Sequence, residues 1–201
     1  SGERSLAPVE QRDQDWSAIG KTATATLVDI DHDADLDLVM SGEGGVSIWS
    51  SQGNTSMQFY QLDEWSTLPP ADVAFTSIRA VDWDRDVDVD LLFAAPDGTT
   101  KGILVNLRHA RFAWTPLDES WGAMGNAAAI IPIEADGNAS WDAASAGPDG
   151  VKIALTSTAV PGQNRLLRDG VVSDEPAEGI LSLDYDNDGA VDLVSWTDRA
   201  V

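Results

Sequence analysis

The sequence predicts an all-β chain, a β-propeller built from four-stranded antiparallel blades. An acidic segment recurs four times, at intervals of 53, 52 and 50 residues. A glycine follows each of the first three copies at a constant distance of 16 residues. The stretches between are rich in Val, Ile, Thr and Ala, and none sustains a helical period over three turns. About fifty residues folding as four antiparallel strands, repeated along the chain, is the pattern of a propeller blade. A β-sandwich with chance loop similarity would give no reason for an even interval.

The first acidic copy, LVDIDHDADLDLV from Leu27 to Val39, places five aspartates within nine residues. On one extended strand all five would point to the same face and repel. The segment therefore reads as a loop, a cation site, or both. The second copy is AVDWDRDVDVDLLF (Ala80 to Phe93) and the fourth is LSLDYDNDGAVDLV (Leu181 to Val194). A weaker third copy, PIEADGNASWDAA, runs from Pro132 to Ala144. The loops start at Asp29, Asp82, Glu134 and Asp184, and the spaced glycines are Gly45, Gly98 and Gly150. The last two glycines sit in similar turns, AAPDG and AGPDG. Two unrelated features that keep one spacing make the third copy a true repeat.

Residues 1–20 read as the outer strand of a preceding blade, because Leu6-Ala-Pro-Val9 resembles the segments around Leu62 and Leu117. Repeat units then run over 21–73, 74–126, 127–176 and 177–201. The second unit shows the plan. Ala74–Val81 enters the acidic loop, Leu91–Ala94 leaves it, and Pro96-Asp97-Gly98 turns the chain. Gly102–Leu107 and Arg111–Leu117 complete the sheet. In the turn, proline presets φ and glycine supplies φ > 0. The fourth unit stops after its second strand, which makes fifteen strands in all. The expectation is part of a larger propeller, or a propeller completed by a second copy.

A chain of 201 residues, 43% hydrophobic and with eight tryptophans, can bury a sizeable core and is no disordered acidic tail. The net charge of −22 argues against nucleic acid as a partner, since phosphate contacts need clustered Lys and Arg. It favours cations. The acidity is local: 17 of the 34 acids fall in the four nine-residue loops. No apolar run approaches the length of a membrane span. Without cysteine there is neither a disulfide framework nor a thiol nucleophile, and the compartment stays open.

Within each loop the acids fall at positions 1, 3, 5 and 9. Loop one offers Asp29, Asp31, Asp33 and Asp37, and loop two offers Asp82, Asp84, Asp86 and Asp90. Loop three has Glu134, Asp136, Asn138 and Asp142, and loop four has Asp184, Asp186, Asp188 and Asp192. A hard cation such as Ca²⁺ takes six to eight oxygens, which close carboxylates and one backbone carbonyl can supply. That carbonyl would come from position 7, which is Asp35, Asp88, Ser140 or Ala190. An EF-hand is excluded. It needs a bidentate acid at position 12 and flanking helices, whereas position 12 here is Met40, Phe93, Ser145 or Ser195 and the flanks are strands.

The pattern D-x-D-x-D-G-x-x-D-L between two strands, at a period near fifty, resembles the FG-GAP/VCBS repeats of integrin-like β-propellers. DYDNDGAVDLV, from Asp184 to Val194, matches that motif in full, and the four units cover nearly the whole chain. The resemblance implies that each loop joins the first two strands of a blade and binds calcium at the rim of one propeller face. The four residue sets above would be the ligands, for up to four Ca²⁺. The family glycine at position 6 survives only as Gly189. Ala34, Val87 and Ala139 stand in the other loops, which would have to bend without a residue tolerant of φ > 0. Loop three departs furthest, with Glu first and a neutral Asn fifth, and is expected to bind most weakly.

The resemblance also implies a module for protein–protein or adhesive interaction, placed extracellularly, in a periplasm or at a cell surface where calcium is abundant. It leaves the ligand, protein or glycan, unspecified. The rival class is a carbohydrate-binding or polysaccharide-degrading propeller. No catalytic constellation is expected: His32 and His109, the two histidines, lie in predicted turns away from any triad pattern. Asn54-Thr55-Ser56 and Asn138-Ala139-Ser140 fit the glycosylation sequon. Trp49, Trp65, Trp114, Trp121 and Trp196 could stack on sugars, but large aromatics more readily fill the wedge between blades. Trp16, Trp65 and Trp121 are the expected exceptions, because they lie in predicted loops.

Overall fold

A computed structural model describes residues 20–198, apart from 54–55, 118–123, 125 and 161–162. The segment Leu6–Val9, Trp16, Trp121 and the first two sequon residues Asn54 and Thr55 lie outside the described residues. The described chain is all-β, with fourteen strands paired antiparallel in three four-stranded sheets and one two-stranded sheet. The first sheet holds β1 (Thr22–Val28), β2 (Asp37–Gly42), β3 (Gly45–Ser51) and β4 (Met57–Phe59). The second holds β5 (Ser77–Val81), β6 (Asp90–Ala94), β7 (Lys101–Asn106) and β8 (Phe112–Pro116). The third holds β9 (Ala129–Ile133), β10 (Asp142–Gly147), β11 (Gly150–Val160) and β12 (Gln163–Ser173). β13 (Gly179–Leu183) and β14 (Asp192–Trp196) form the fourth. Strands neighbour one another in chain order within each sheet. Among the described residues no helix is long and apolar enough to cross a membrane.

The first strands of successive sheets, β1, β5, β9 and β13, touch in turn, and the core lies between the sheets. β6 is buried at every residue because its two faces meet different neighbours. Leu91 and Phe93 point toward the first sheet and pack with Val28, Val39 and Ile48. Leu92 and Ala94 point the other way, toward Ile130, Ala143 and Ala154 of the third sheet. The period-2 alternation of a strand thus feeds two cores at once. Ile131, Ala144 and Val151 pack with Ile180 to join the third sheet to the fourth.

The tryptophans divide only in part as expected: Trp114 packs on the core between the first two sheets, Trp49 packs within its own sheet, and Trp196 is 36% exposed. Trp114 lies 5.8 Å from Phe75 and 6.0 Å from Phe93, and Trp49 meets Phe59 edge-on at 5.4 Å. Trp65 is 69% exposed.

The outer strand of the second sheet lies where it is expected, over Arg111–Leu117, but that of the first sheet stops short of Leu62, which corrects its expected place. β4 ends at Phe59 and β8 at Pro116. Past Tyr60, whose backbone N–H still donates to the Ile48 carbonyl of β3 at 2.9 Å, the chain leaves its own sheet and runs along the next one. Asp63 donates its backbone N–H to the Ala110 carbonyl at 2.8 Å, and Thr67 donates to that of Phe112 at 2.9 Å. Leu62 is apolar because it packs on the core between the first two sheets, and not because it belongs to a strand.

The spaced glycines sit at the hairpins joining second and third strands, with φ of +88° at Gly45, +72° at Gly98 and +94° at Gly150. A Cβ there would lie 2.9 Å from the Ala71 carbonyl oxygen, 2.9 Å from the Asn126 carbonyl carbon and 2.0 Å from the Ser173 carbonyl oxygen, respectively. The 16-residue spacing marks a left-handed turn and a close backbone approach at the same point.

Candidate metal centre

Each acidic loop joins the first strand of a sheet to the second, and it is folded by its own carboxylates. Asp29 accepts the backbone N–H groups of Asp33 and Ala34, one on each oxygen, at 3.1 Å. Asp82 accepts those of Asp86 and Val87 at 3.0 and 3.1 Å, and Asp184 those of Asp188 and Gly189 at 3.0 Å. Glu134, one methylene longer, takes the N–H of Gly137 instead. Position 5 then accepts from position 7 in every loop, at 2.8–3.0 Å from Asp35, Asp88, Ser140 and Ala190.

This wrapping needs two left-handed residues per loop. Position 4 has φ near +61° at His32, Arg85 and Asn187, and +74° at Gly137. Position 6 has φ of +72° at Ala34, +85° at Val87, +62° at Ala139 and +87° at Gly189. Three loops thus make the bend at position 6 without glycine, through Ala34, Val87 and Ala139 held at φ > 0. The non-glycine residues adopt the left-handed region at about 1–2 kcal/mol each, and the carboxylate hydrogen bonds hold them there.

The position-9 aspartate is a clamp. Asp37 accepts from Ile30 at 2.9 Å and from Ser51 at 2.8 Å, one on each oxygen. Asp90 does the same with Trp83 and Asn106, and Asp142 with Ala135 and Thr156. Asp192 takes Tyr185 at 2.8 Å. Asp37, Asp90 and Asp142 are fully buried, so each ties its loop to the third strand of its sheet.

Carboxylate oxygens converge in all four loops. Oxygens of Asp29, Asp31 and Asp33, and of Asp82, Asp84 and Asp86, lie within 4.8 Å of one another. So do those of Glu134, Asp136 and Asp142, and those of Asp184, Asp186 and Asp192. Oδ1 of Asp31 and Oδ1 of Asp84 are buried and accept no hydrogen bond. Asp84 is only 6% exposed. Burial, and next the Asp86 carboxylate, push the Asp84 carboxyl up to about 6. Burial raises Asp90 to about 7 against the lowering pull of its two amides, and it also raises Asp31 and Asp142. All four sets are crowded and all-oxygen, and those of loops two and three also bury one acid, Asp84 and Asp142; such sets could hold a hard divalent cation.

Among the predicted carbonyl donors at position 7, Asp35 and Ala190 are exposed, whereas Asp88 and Ser140 are buried. Loop three answers part of its own charge. Asn138 donates from Nδ2 to Asp136 at 3.1 Å and to the Thr156 carbonyl at 2.8 Å.

Sequence spacing missed the residues that join loops one and two. Arg108, in the turn after β7, donates from Nε to Asp88 Oδ2 and from Nη2 to the Asp86 carbonyl at 2.8 Å. His32 of loop one sets Nε2 3.3 Å from Asp88 Oδ1 with 44% of its side chain still exposed. Asn106 donates from Nδ2 to the Ile30 carbonyl at 3.0 Å. Arg108, His109 and Ala110 all have φ > 0, at +67°, +53° and +61°. A cleft of about 420 Å³ lies here, lined by Asp31, His32, Tyr60, Val87, Arg108 and His109 among others. Arg108 stands 20 residues from Asp88, outside any motif.

No curated protein matches the chain. Among solved structures it is similar to a lectin of Agrocybe aegerita, described for its specific recognition of non-reducing terminal N-acetylglucosamine. The two share 15% identity with a TM-score of 0.56, over 86% of this chain and 46% of the lectin. At that identity the likeness is one of fold, and this chain spans under half of the lectin's length. Residues 29–93, which hold the whole of loops one and two, match the model of the FG-GAP-like repeat. The chain therefore carries an FG-GAP-like repeat, in the stretch where its buried, unpaired carboxylate oxygens lie.

Proposed function

We propose that this chain is part of a β-propeller whose strand-joining loops hold Ca²⁺, and that it serves as a binding module outside the cytosol. The observation that carries the metal reading is Asp84. Its carboxylate is 6% exposed and has an unpaired oxygen, and oxygens of Asp82 and Asp86 lie within 4.8 Å. An unpaired buried carboxylate oxygen is costly unless a cation or a proton meets it. With only oxygen donors and flexible loop geometry, the set suits Ca²⁺ better than Mg²⁺, which demands a near-ideal octahedron. Support for the propeller comes from the four-stranded sheets in chain order, the contacts between their first strands, and the FG-GAP-like repeat.

On this reading the ion is structural. It binds the folded loops and stabilises them by mass action. The module then recognises a protein surface and catalyses nothing. A placement outside the cytosol, where calcium is abundant, suits loops that strain several non-glycine residues. Calorimetric titration with Ca²⁺, paired with thermal unfolding in calcium and in chelator, tests the metal reading. Absence of both heat and stabilisation would reject it.

A second reading, carbohydrate binding, is favoured by the cleft between loops one and two. It combines the Tyr60 ring with Arg108, His109 and the unpaired Asp31 oxygen. The lectin likeness points the same way. A glycan array probed with and without calcium separates the two readings, since a protein-binding module would leave it blank.

A further inference from the structure

Loop one reaches loop two from its fourth position. His32, position 4 of loop one, is held at φ +61° and faces Asp88 of loop two at 3.3 Å. Arg85, position 4 of loop two, lies 4.6 Å over the ring of Trp141 in loop three. Gly137 fills position 4 of loop three and has no side chain with which to reach onward. In loops one and two the left-handed residue at position 4 therefore aims its side chain sideways, at the next loop.

Asp88 is the junction. It is 4% exposed, and it meets His32 on one oxygen and Arg108 on the other. Arg108 also holds the Asp86 carbonyl, so residues 86–88 are fixed from outside their own loop. Asp86 is one of the three converging acids, and Asp88 offers the carbonyl at position 7. Asn106 adds a parallel link, donating its side chain to the Ile30 carbonyl and its backbone N–H to Asp90.

We propose that the cation sites of loops one and two bind cooperatively through the His32–Asp88–Arg108 junction. The proposal rests on the reading of these loops as cation sites. A cation in loop one offsets most of the charge of Asp29, Asp31 and Asp33 and holds the left-handed turn that places His32 on Asp88. The ordered Asp88, clamped by Arg108, fixes the peptide that loop two offers its own cation. By linkage the effect is reciprocal, and it travels through contiguous hydrogen-bonded groups. Repulsion between two dications acts against it, and the sign of the measured coupling shows which effect prevails.

The test uses the full chain with loops three and four disabled by Asp136→Ala and Asp186→Ala, titrated with calcium by calorimetry. Adding Asp31→Ala leaves loop two alone, and adding Asp84→Ala leaves loop one alone. The two-loop protein should show a product of association constants about fivefold or more above the product of the single-loop constants. His32→Asn, which suits φ > 0 but takes the imidazole from Asp88, should reduce that excess. Arg108→Gln should weaken loop two and leave the single-loop constant of loop one unchanged.

Equal products would overturn the coupling and leave the cation sites standing, whereas no uptake by any form would overturn both. If disabling two loops unfolds the chain, terbium(III) luminescence sensitised by Trp83 reads loop two in the otherwise unchanged protein. Asp31→Ala must then shift its midpoint by the same factor, and an unmoved midpoint overturns the coupling.

Discussion

Asp90 accepts the backbone N–H of Asn106 at 2.8 Å, across sixteen residues of chain and with no exposure to solvent. Its other oxygen takes the N–H of Trp83, so one side chain fixes both the acidic loop and the third strand of its sheet. Asp37 and Asp142 repeat this arrangement in the neighbouring sheets.

Replacing Asp90 by alanine leaves two buried amides unpaired, which costs about 2–6 kcal/mol at about 1–3 kcal/mol for each group. Urea denaturation in chelator should show the loss in full, because the clamp needs no ion. Asp90→Asn keeps one acceptor and should lose about half as much. A loss well under 1 kcal/mol for alanine would mean that the clamp contributes little.

The pH dependence of the ion-free protein follows from the raised carboxyls. Asp84, at about 6, and Asp90, at about 7, stand above their ordinary value of 3.8, so the folded state binds protons more tightly than the unfolded one. Their contribution to stability is full below the unfolded value and is lost as pH rises through 6 to 7. In chelator the urea midpoint should fall steadily from about pH 4.5 to about pH 7.5. Saturating calcium should flatten or reverse that slope, because the cation replaces the proton. A slope that calcium does not alter would contradict the site assignment.

Val87 has φ +85° and is 72% exposed, so its side chain gains little from burial where it stands. Val87→Gly should raise stability by about 1 kcal/mol through relief of the left-handed strain. Guanidinium denaturation in calcium measures it, and a destabilised variant would show that Val87 has another role.

Gly150 is the opposite case. With φ +94° and the Ser173 carbonyl 2.0 Å from where a Cβ would stand, Gly150→Ala should cost more than about 2 kcal/mol. The same denaturation series reads it, and a near-neutral result would show that the β11–β12 edge yields freely.

The repeat was legible in the sequence because the loop carboxylates and the turn glycines are fixed by short-range geometry. The strands of the second unit fall within three residues of their expected starts at Ala74, Leu91, Gly102 and Arg111. Convergence of the position 1 and 3 acids was equally readable, since those residues fold around one another locally.

What lay hidden depends on the neighbouring sheet. Nothing near Arg108 says that its guanidinium reaches Asp88. The left-handed turn at His32 also gave no signal, because histidine does not demand φ > 0 as glycine suggests it. Leu62 looked like a strand residue, since apolar packing between sheets and pairing within one call for the same side chain.

The most direct test of the account is calorimetric titration of the full chain with Ca²⁺, beside its Asp84→Ala variant. Saturable uptake, a melting temperature that rises with calcium and falls with chelator, and the loss of one binding event in Asp84→Ala are the expected results. A chain that takes up no calcium and melts identically in calcium and in chelator would contradict it.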